Sequence, residues 1–341
     1  MDQVFDIMPS AENPRNSEGD AVLLSDGRLL LAWSRFEGAQ DHARAEVAGM
    51  TTADWGKHWS EIRTLVSPQE AQLNVMSVSL LREAGSGDLL LFYVRKNSLA
   101  ECLVYLRRSR DEGQSWEAPQ RVATKEGYHV INNARVIQLH DGRLLAPVAW
   151  TRDFATSRHQ VAFCYLSDDG GRSWRAGRGM VDLPSSAVGC QEPGLVELSS
   201  GILMYIRTDQ GYVYGALSRD GGETWSDPWP FASLPSPAAP ATMVRLPDGG
   251  LVVFYNHRPE GAKAGWKDRT PLAVARSDDE GRTWRRLADL EPSPEFCYAY
   301  TSCRIYGDKA VLTYYVWPRA VEMGFEQTRL RFRVLPWSRF S

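Results

Sequence analysis

The stretch Ser167-Asp-Asp169-Gly-Gly171-Arg-Ser-Trp174 decides how this chain is read, because the same pattern occurs five times. The other copies are Thr52-Ala-Asp54-Trp-Gly56-Lys-His-Trp59, Ser109-Arg-Asp111-Glu-Gly113-Gln-Ser-Trp116, Ser218-Arg-Asp220-Gly-Gly222-Glu-Thr-Trp225 and Ser277-Asp-Asp279-Glu-Gly281-Arg-Thr-Trp284. From Asp to Asp the intervals are 57, 58, 51 and 59 residues. Recurrence at that length marks a radially repeated fold. In each copy the Asp is suited to accept backbone N–H groups across its own turn. The Gly supplies a positive φ, and the Trp offers a ring to fill the space between neighbouring sheets. These five Asp are expected at outer hairpins, away from any axial site, and so to be structural.

A second repeat alternates with the first. A Gly turn leads into an apolar run at Asp26-Gly27-Arg-Leu-Leu-Leu, Ser86-Gly87-Asp-Leu-Leu-Leu, Asp141-Gly142-Arg-Leu-Leu, Ser200-Gly201-Ile-Leu-Met, Asp248-Gly249-Gly-Leu-Val-Val and Tyr306-Gly307-Asp-Lys-Ala-Val-Leu. Short strand-like segments such as Ala21-Val-Leu-Leu precede the turns, which is a hairpin signature. Each unit therefore runs strand, Gly turn, strand, loop, strand, Asp-Gly turn, strand. The reading is all-β: a six-bladed β-propeller with four-stranded antiparallel blades of about 57 residues, forming a single domain over residues 1–341. The sixth unit lacks the Asp-Gly-Trp turn. Gln3-Val-Phe-Asp-Ile and Arg329-Leu-Arg-Phe-Arg-Val-Leu are expected to close the ring together.

Composition narrows the function classes. The chain is 43% hydrophobic with a net charge of −3, as in ordinary globular proteins. No apolar run approaches the roughly 20 residues of a membrane span, and the N-terminal residues lack the pattern of a signal peptide, so a cytoplasmic protein is expected. Five Cys, an odd count, argue against a full disulfide framework. Only six of 39 basic residues are Lys and the Arg are scattered, so no nucleic-acid stripe is expected. The six His are dispersed, and neither a metal nor a cofactor is indicated.

In a propeller, ligand groups come from the starts of the first strands and from loops after the second. The first group holds Arg15, Asn74, Asn132, Asn133, Glu192 and Tyr300. The second holds Arg35, Asp41, Arg95, Lys96, Arg152, Arg207, His257 and Arg269. Several guanidinium groups about one axis suit a ligand carrying a carboxylate, which Arg grips with two parallel hydrogen bonds.

On these motifs the chain resembles the sialidase (neuraminidase) superfamily along essentially its whole length, and the turn repeat resembles that family's Asp-box. The resemblance implies roles for single residues. Arg15, Arg207 and Arg269 match the three Arg that hold the substrate carboxylate, and Asp41 matches the acid/base Asp. Glu192, in Gln191-Glu192-Pro-Gly-Leu-Val-Glu-Leu198, matches the Glu that serves the nucleophile, and Tyr300, in Tyr298-Ala-Tyr300-Thr-Ser, matches the nucleophile. Arg35, Lys96 and Asn133 are further substrate-binding candidates. A phenol suits this chemistry, because a carboxylate nucleophile is repelled by a carboxylate on the anomeric carbon. Two features depart from the family pattern. Asn16-Ser17-Glu18 follows Arg15 where Arg-Ile-Pro is usual, which places a carboxylate that either neutralises Arg15 or contacts a substrate hydroxyl, and Arg95-Lys96 adds cations to the second unit. The leading expectation is a retaining exo-glycosidase acting on terminal sialic acid or a related 2-keto-3-deoxy sugar acid. Its rivals are a glycosidase or lyase for another acidic sugar such as a uronic acid, and a non-catalytic propeller that binds an anionic glycan.

Overall fold

The computed structural model describes residues 2–258, 268–321 and 325–341. All regular structure in them is β-strand, apart from two short 3-10 turns at Pro68–Glu70 and Trp337–Phe340. No helix among the described residues is long and apolar enough to cross a membrane. In chain order the strands are β1 (Gln3–Ile7), β2 (Arg15–Leu23), β3 (Leu29–Phe36), β4 (Ala45–Thr52), β5 (Arg63–Val66), β6 (Asn74–Arg82), β7 (Leu89–Lys96), β8 (Cys102–Ser109) and β9 (Gln120–Arg121). Next come β10 (Tyr128–Val130), β11 (Ile137–Gln138), β12 (Leu144–Thr151), β13 (Val161–Ser167), β14 (Arg175–Ala176), β15 (Gln191–Leu198), β16 (Gly201–Arg207), β17 (Tyr212–Ser218) and β18 (Trp229–Pro235). The last are β19 (Thr242–Arg245), β20 (Leu251–Asn256), β21 (Leu272–Ser277), β22 (Arg285–Glu291), β23 (Phe296–Tyr306), β24 (Lys309–Pro318) and β25 (Arg329–Pro336).

Four sheets have four strands each: β2 to β5, β15 to β18, β19 to β22, and β1-β25-β24-β23. The remaining nine strands form one sheet, in which β10 bridges β8 and β12. That bridge arises because Tyr128 pairs in parallel with Cys102 while residues 128–130 run antiparallel to β12. In the mixed-terminus sheet, β1 lies antiparallel on β25 from Gln3 opposite Val334 to Ile7 opposite Leu330. Strands of different sheets pack side by side: β2 touches β6 and β23, β15 touches β12 and β19, and β19 touches β23.

Strand sequence follows burial. The run Leu29-Leu-Leu-Ala-Trp-Ser-Arg-Phe36 lies between β2 and β4 and is covered on both faces, so it reads as an almost continuous apolar run. The repeated turns close as their composition dictates. Ser167 Oγ donates to Asp169 Oδ1 (2.8 Å) and accepts the Gly171 N–H (2.8 Å). Asp169 Oδ1 accepts the N–H groups of Arg172 and Ser173, both at 2.9 Å. Gly171 has φ 86°, where a Cβ is strained. Trp174 then reaches the preceding group of strands and meets the Phe92 ring edge-on at 5.7 Å. All five Cys are buried.

Candidate functional site

A cavity of about 590 Å³ opens where the first strands converge. Arg15, Asp41, Glu192, Arg207, Arg269 and Tyr300 all line it, together with Glu18, Ser77 and Lys96. Local backbone geometry explains how strands otherwise filled with core residues deliver polar groups there. Glu18, Ser77, Glu192 and Tyr300 have φ of 52°, 66°, 48° and 59°. Each sits in a register slip of its strand pair: Ser17/Asp20, Met76/Ser79, Gln191/Gly194 and Ala299/Ser302. Such a bulge leaves one residue out of the ladder and re-aims its side chain. The left-handed conformation costs a non-Gly residue about 1–3 kcal/mol, and it persists where the surroundings over-determine it. Ala134 (φ 58°) takes the corresponding place ahead of β11. The β19–β20 ladder runs from Thr242 to Arg245 without a slip, and the two bulged residues on either side of it, Glu192 and Tyr300, meet.

A polar layer beneath the floor holds the bulges. Asn133 Nδ2 donates to Gly19 O (2.7 Å) and Tyr300 O (3.0 Å), tying two bulges together, and Thr313 Oγ1 donates to Gly19 O at 2.7 Å. Asp20 is fully buried against Arg304 (2.6 Å) and accepts the Leu80 N–H at 2.8 Å. Asn133 does not line the cavity. Both of its amide hydrogens are spent on backbone carbonyls, which leaves none for the expected substrate contact.

On one wall the Tyr300 hydroxyl donates to Glu192 Oε1 at 2.9 Å, and Glu192 Oε2 lies 2.7 Å from Arg207 Nη1. Burial pushes the Glu192 carboxyl up, but the Arg207 and Arg269 cations outweigh it and hold the group below its ordinary value. Burial and the Glu192 charge drive the Tyr300 phenol well above its ordinary range, so the resting pair is phenol and carboxylate. The Arg269 guanidinium carbon lies 5.5 Å from the centre of the Tyr300 ring. Arg269 donates from Nη2 to Ala238 O (3.1 Å), while its buried Nε and Nη1 have no hydrogen-bond partner among the described residues. Lys267, quoted beside it in the sequence motif, lies outside the described residues.

Arg15 is 2% exposed and held between the rings of Phe36 (4.2 Å) and Phe325 (4.3 Å). Its Nη1 lies 2.6 Å from Asp41 Oδ1, and its Nε donates to Ser17 Oγ at 3.2 Å. The Asp41 side chain is 57% exposed at the cavity mouth. Desolvation raises its carboxyl, but the Arg15 cation prevails and lowers it. The loop carrying Asp41 is pinned from the next sheet: its carbonyl accepts Asn74 Nδ2 and Lys96 Nζ, both at 3.0 Å. Burial lowers the Lys96 ammonium.

Other candidates fall away from the cavity. Arg35 is turned to Glu46 and does not line it, because alternation along β3 places residue 35 on the face that pairs with Glu46 of β4; it is removed from the substrate-binding set. Arg95 pairs with Glu70, and His257 meets the Tyr255 hydroxyl at 3.1 Å. Sequence reasoning missed Ser77 and Phe325, and it left the orientation of Glu18 open. A polar run, Asn16-Ser-Glu-Gly-Asp20, inside a strand otherwise followed by core residues was the available signal for Glu18.

A family profile for the BNR repeat-like domain matches residues 27–311. The chain belongs to that family, within the sialidase superfamily. It is 28% identical over 249 residues to human Sialidase-4, a match covering 62% of this chain and 50% of the relative. It is 31% identical over 156 residues to a Micromonospora viridifaciens sialidase, covering 42% and 22%. The chain thus spans about half the length of the first relative and under a quarter of the second. Among solved structures, the Trypanosoma rangeli sialidase in complex with sialic acid superposes with a TM-score of 0.77 at 15% identity, over 97% of this chain and 58% of that one. The intramolecular trans-sialidase of Ruminococcus gnavus, in complex with oseltamivir carboxylate, also reaches 0.77, at 14% identity over 99% and 98%. A Dyadobacter fermentans protein of unknown function reaches 0.73, at 16% identity over 97% and 98%. These superpositions establish a shared fold.

Proposed function

We propose that this member of the family is a retaining exo-glycosidase that removes a terminal sialic acid, or a related 2-keto-3-deoxy sugar acid, from a glycan. The observation that carries the reading is the Tyr300–Glu192–Arg207 contact lining the same cavity as Arg15, Arg269 and Asp41. The substrate carboxylate is taken by the three Arg. The Tyr300 oxygen attacks the anomeric carbon while its proton passes to Glu192, and Asp41 protonates the departing oxygen. Water, activated by Asp41, then attacks the same carbon; the phenolate leaves and recovers its proton from Glu192, with net retention. Asp41 has to arrive protonated. The incoming carboxylate shares Arg15 and weakens the pull that keeps Asp41 ionised in the empty site. The same intermediate serves transfer if a sugar hydroxyl replaces water, so the acceptor alone separates hydrolysis from trans-glycosylation.

The fold reading that accompanies this function counts six blades in a single domain: the four four-stranded sheets, and the nine-stranded sheet taken as two blades bridged by β10. The β1–β25 pairing is read as the closure.

The test is turnover of an aryl α-sialoside by wild type and by Tyr300→Phe, with binding of free sialic acid measured alongside. Turnover reduced at least 10³-fold with binding retained supports the reading. Turnover of uronides only, or binding without turnover by wild type, replaces it with one of its two rivals.

A further inference from the structure

Glu18 is a buried carboxylate lining the cavity that the reaction above does not use. It is 3% exposed, lines the cavity, and is held at φ 52° in a bulge between the strands bearing Tyr300 and Ser77. Its hydrogen bonds all go to one oxygen: Oε2 accepts Ser77 Oγ at 2.9 Å and, more weakly, Ser34 Oγ at 3.5 Å. Ser34 is itself fixed, since its Oγ accepts the Ser77 N–H at 3.0 Å. Oε1 has no hydrogen-bond partner among the described residues, and Glu18 lines the cavity. Arg15 does not neutralise it by contact, because its bonds go to Asp41, Ser17 and the Ala39 carbonyl.

A buried carboxylate with one idle oxygen and a left-handed backbone is costly on two counts. Such an expense in a cavity lining marks a ligand contact. An acceptor oxygen there takes an O–H or N–H, and repels a second anion. The ligand's carboxylate is already committed to the Arg groups, so the donor is a different part of the same sugar.

The geometry points to Glu18 as a specificity-determining substrate contact, with Oε1 accepting a free hydroxyl or amide N–H of the acidic sugar and excluding sugars substituted at that atom. This deepens the sugar-acid reading above and rests on it. Burial, opposed by Arg15 and Ser77 and reinforced by the Asp41 and Glu192 charges, lifts the Glu18 carboxyl to about 7, so a ligand donor that favours the ionised form has room to act.

The experiment measures Kd by calorimetry, and kcat/KM where turnover occurs. The probes are sialic acid (with its aryl glycoside) and analogues deoxygenated singly at C4, C7, C8 or C9 or lacking the N-acyl N–H. The proteins are wild type, Glu18→Gln and Glu18→Ala. Glu18→Ala is expected to bind the parent sugar 10- to 100-fold more weakly, as for a lost hydrogen bond to a charged group. One analogue, missing the matched donor, should bind wild type and Glu18→Ala alike. Equal losses on every analogue overturn the assignment, as does wild-type affinity of Glu18→Ala for the parent. Glu18→Gln keeps the shape and guards against misfolding; its ratio across analogues must follow the same pattern. Wild type that binds the sugars without turnover sinks the hydrolase reading while the Kd pattern still decides Glu18. Wild type that binds none of them overturns both.

Discussion

Replacing Glu18 with Gln is expected to stabilise the protein, increasingly so as pH rises. In the folded chain the Glu18 carboxyl is raised by burial from 4.5 to about 7, with Arg15 and the Ser77 hydroxyl only partly offsetting the desolvation. Between those two values the native state holds a proton that the unfolded chain has released. Stability therefore falls as pH rises through the window, and the contribution is fully present only below about pH 4.5. A shift of that size corresponds to about 3 kcal/mol, a large share of the 5–15 kcal/mol typical of a domain. Glu18→Gln carries no titrating charge. Its stability advantage over wild type should grow by about 3 kcal/mol from pH 4 to pH 8, or roughly 4 °C in Tm for a chain of 341 residues. Urea unfolding of both proteins followed by Trp fluorescence, at intervals across that range, measures the gap. A gap that is flat with pH refutes the argument, because it would mean that Glu18 pays no burial cost and is not a strained ligand group.

Three further outcomes follow from the same geometry. Asn133→Ala removes the amide that holds the Gly19 and Tyr300 carbonyls; we expect a loss of about 2–3 kcal/mol in unfolding free energy and a kcat that falls more than KM rises. Unchanged kinetics would show that Tyr300 is held without it. Asp169→Ala opens one repeated turn and should cost about 1–3 kcal/mol by thermal or urea unfolding, with kcat/KM within twofold of wild type; a catalytic defect in a correctly folded variant would contradict its structural assignment. Arg269→Leu removes a buried cation two of whose nitrogens have no partner among the described residues, so stability should hold or rise while KM increases at least tenfold. Saturation kinetics beside an unfolding curve separate the two effects, and a large stability loss with unchanged KM counts against the carboxylate role.

The turns were legible because their chemistry is local. A hydroxyl, an Asp, a Gly and a Trp at fixed offsets close the Asp169 turn within eight residues, and the same offsets elsewhere announce the same turn. Arg15, Asp41, Glu192, Arg207, Arg269 and Tyr300 were singled out through their places in the repeat and the resemblance those places carry, and they line one cavity. Arg35 and Asn133 were misplaced by the same reasoning. Position near a strand end says which end of the sheet a residue occupies, but not which face its side chain takes or whether a backbone carbonyl has already claimed it.

Periodicity alone settled that the chain is all-β, where its hairpins turn and which Asp are structural, since each depends on contacts within a few residues. Only the packed strands decided that Glu18, Ser77, Glu192 and Tyr300 leave the ladder and face the cavity. A bulge is an extra residue measured against a partner strand, and its left-handed backbone is tolerated only because Asn133, Thr313 and neighbouring strands hold it. The Asn133 and Thr313 contacts join residues from 114 to 294 apart along the chain, a separation at which local patterns carry no signal.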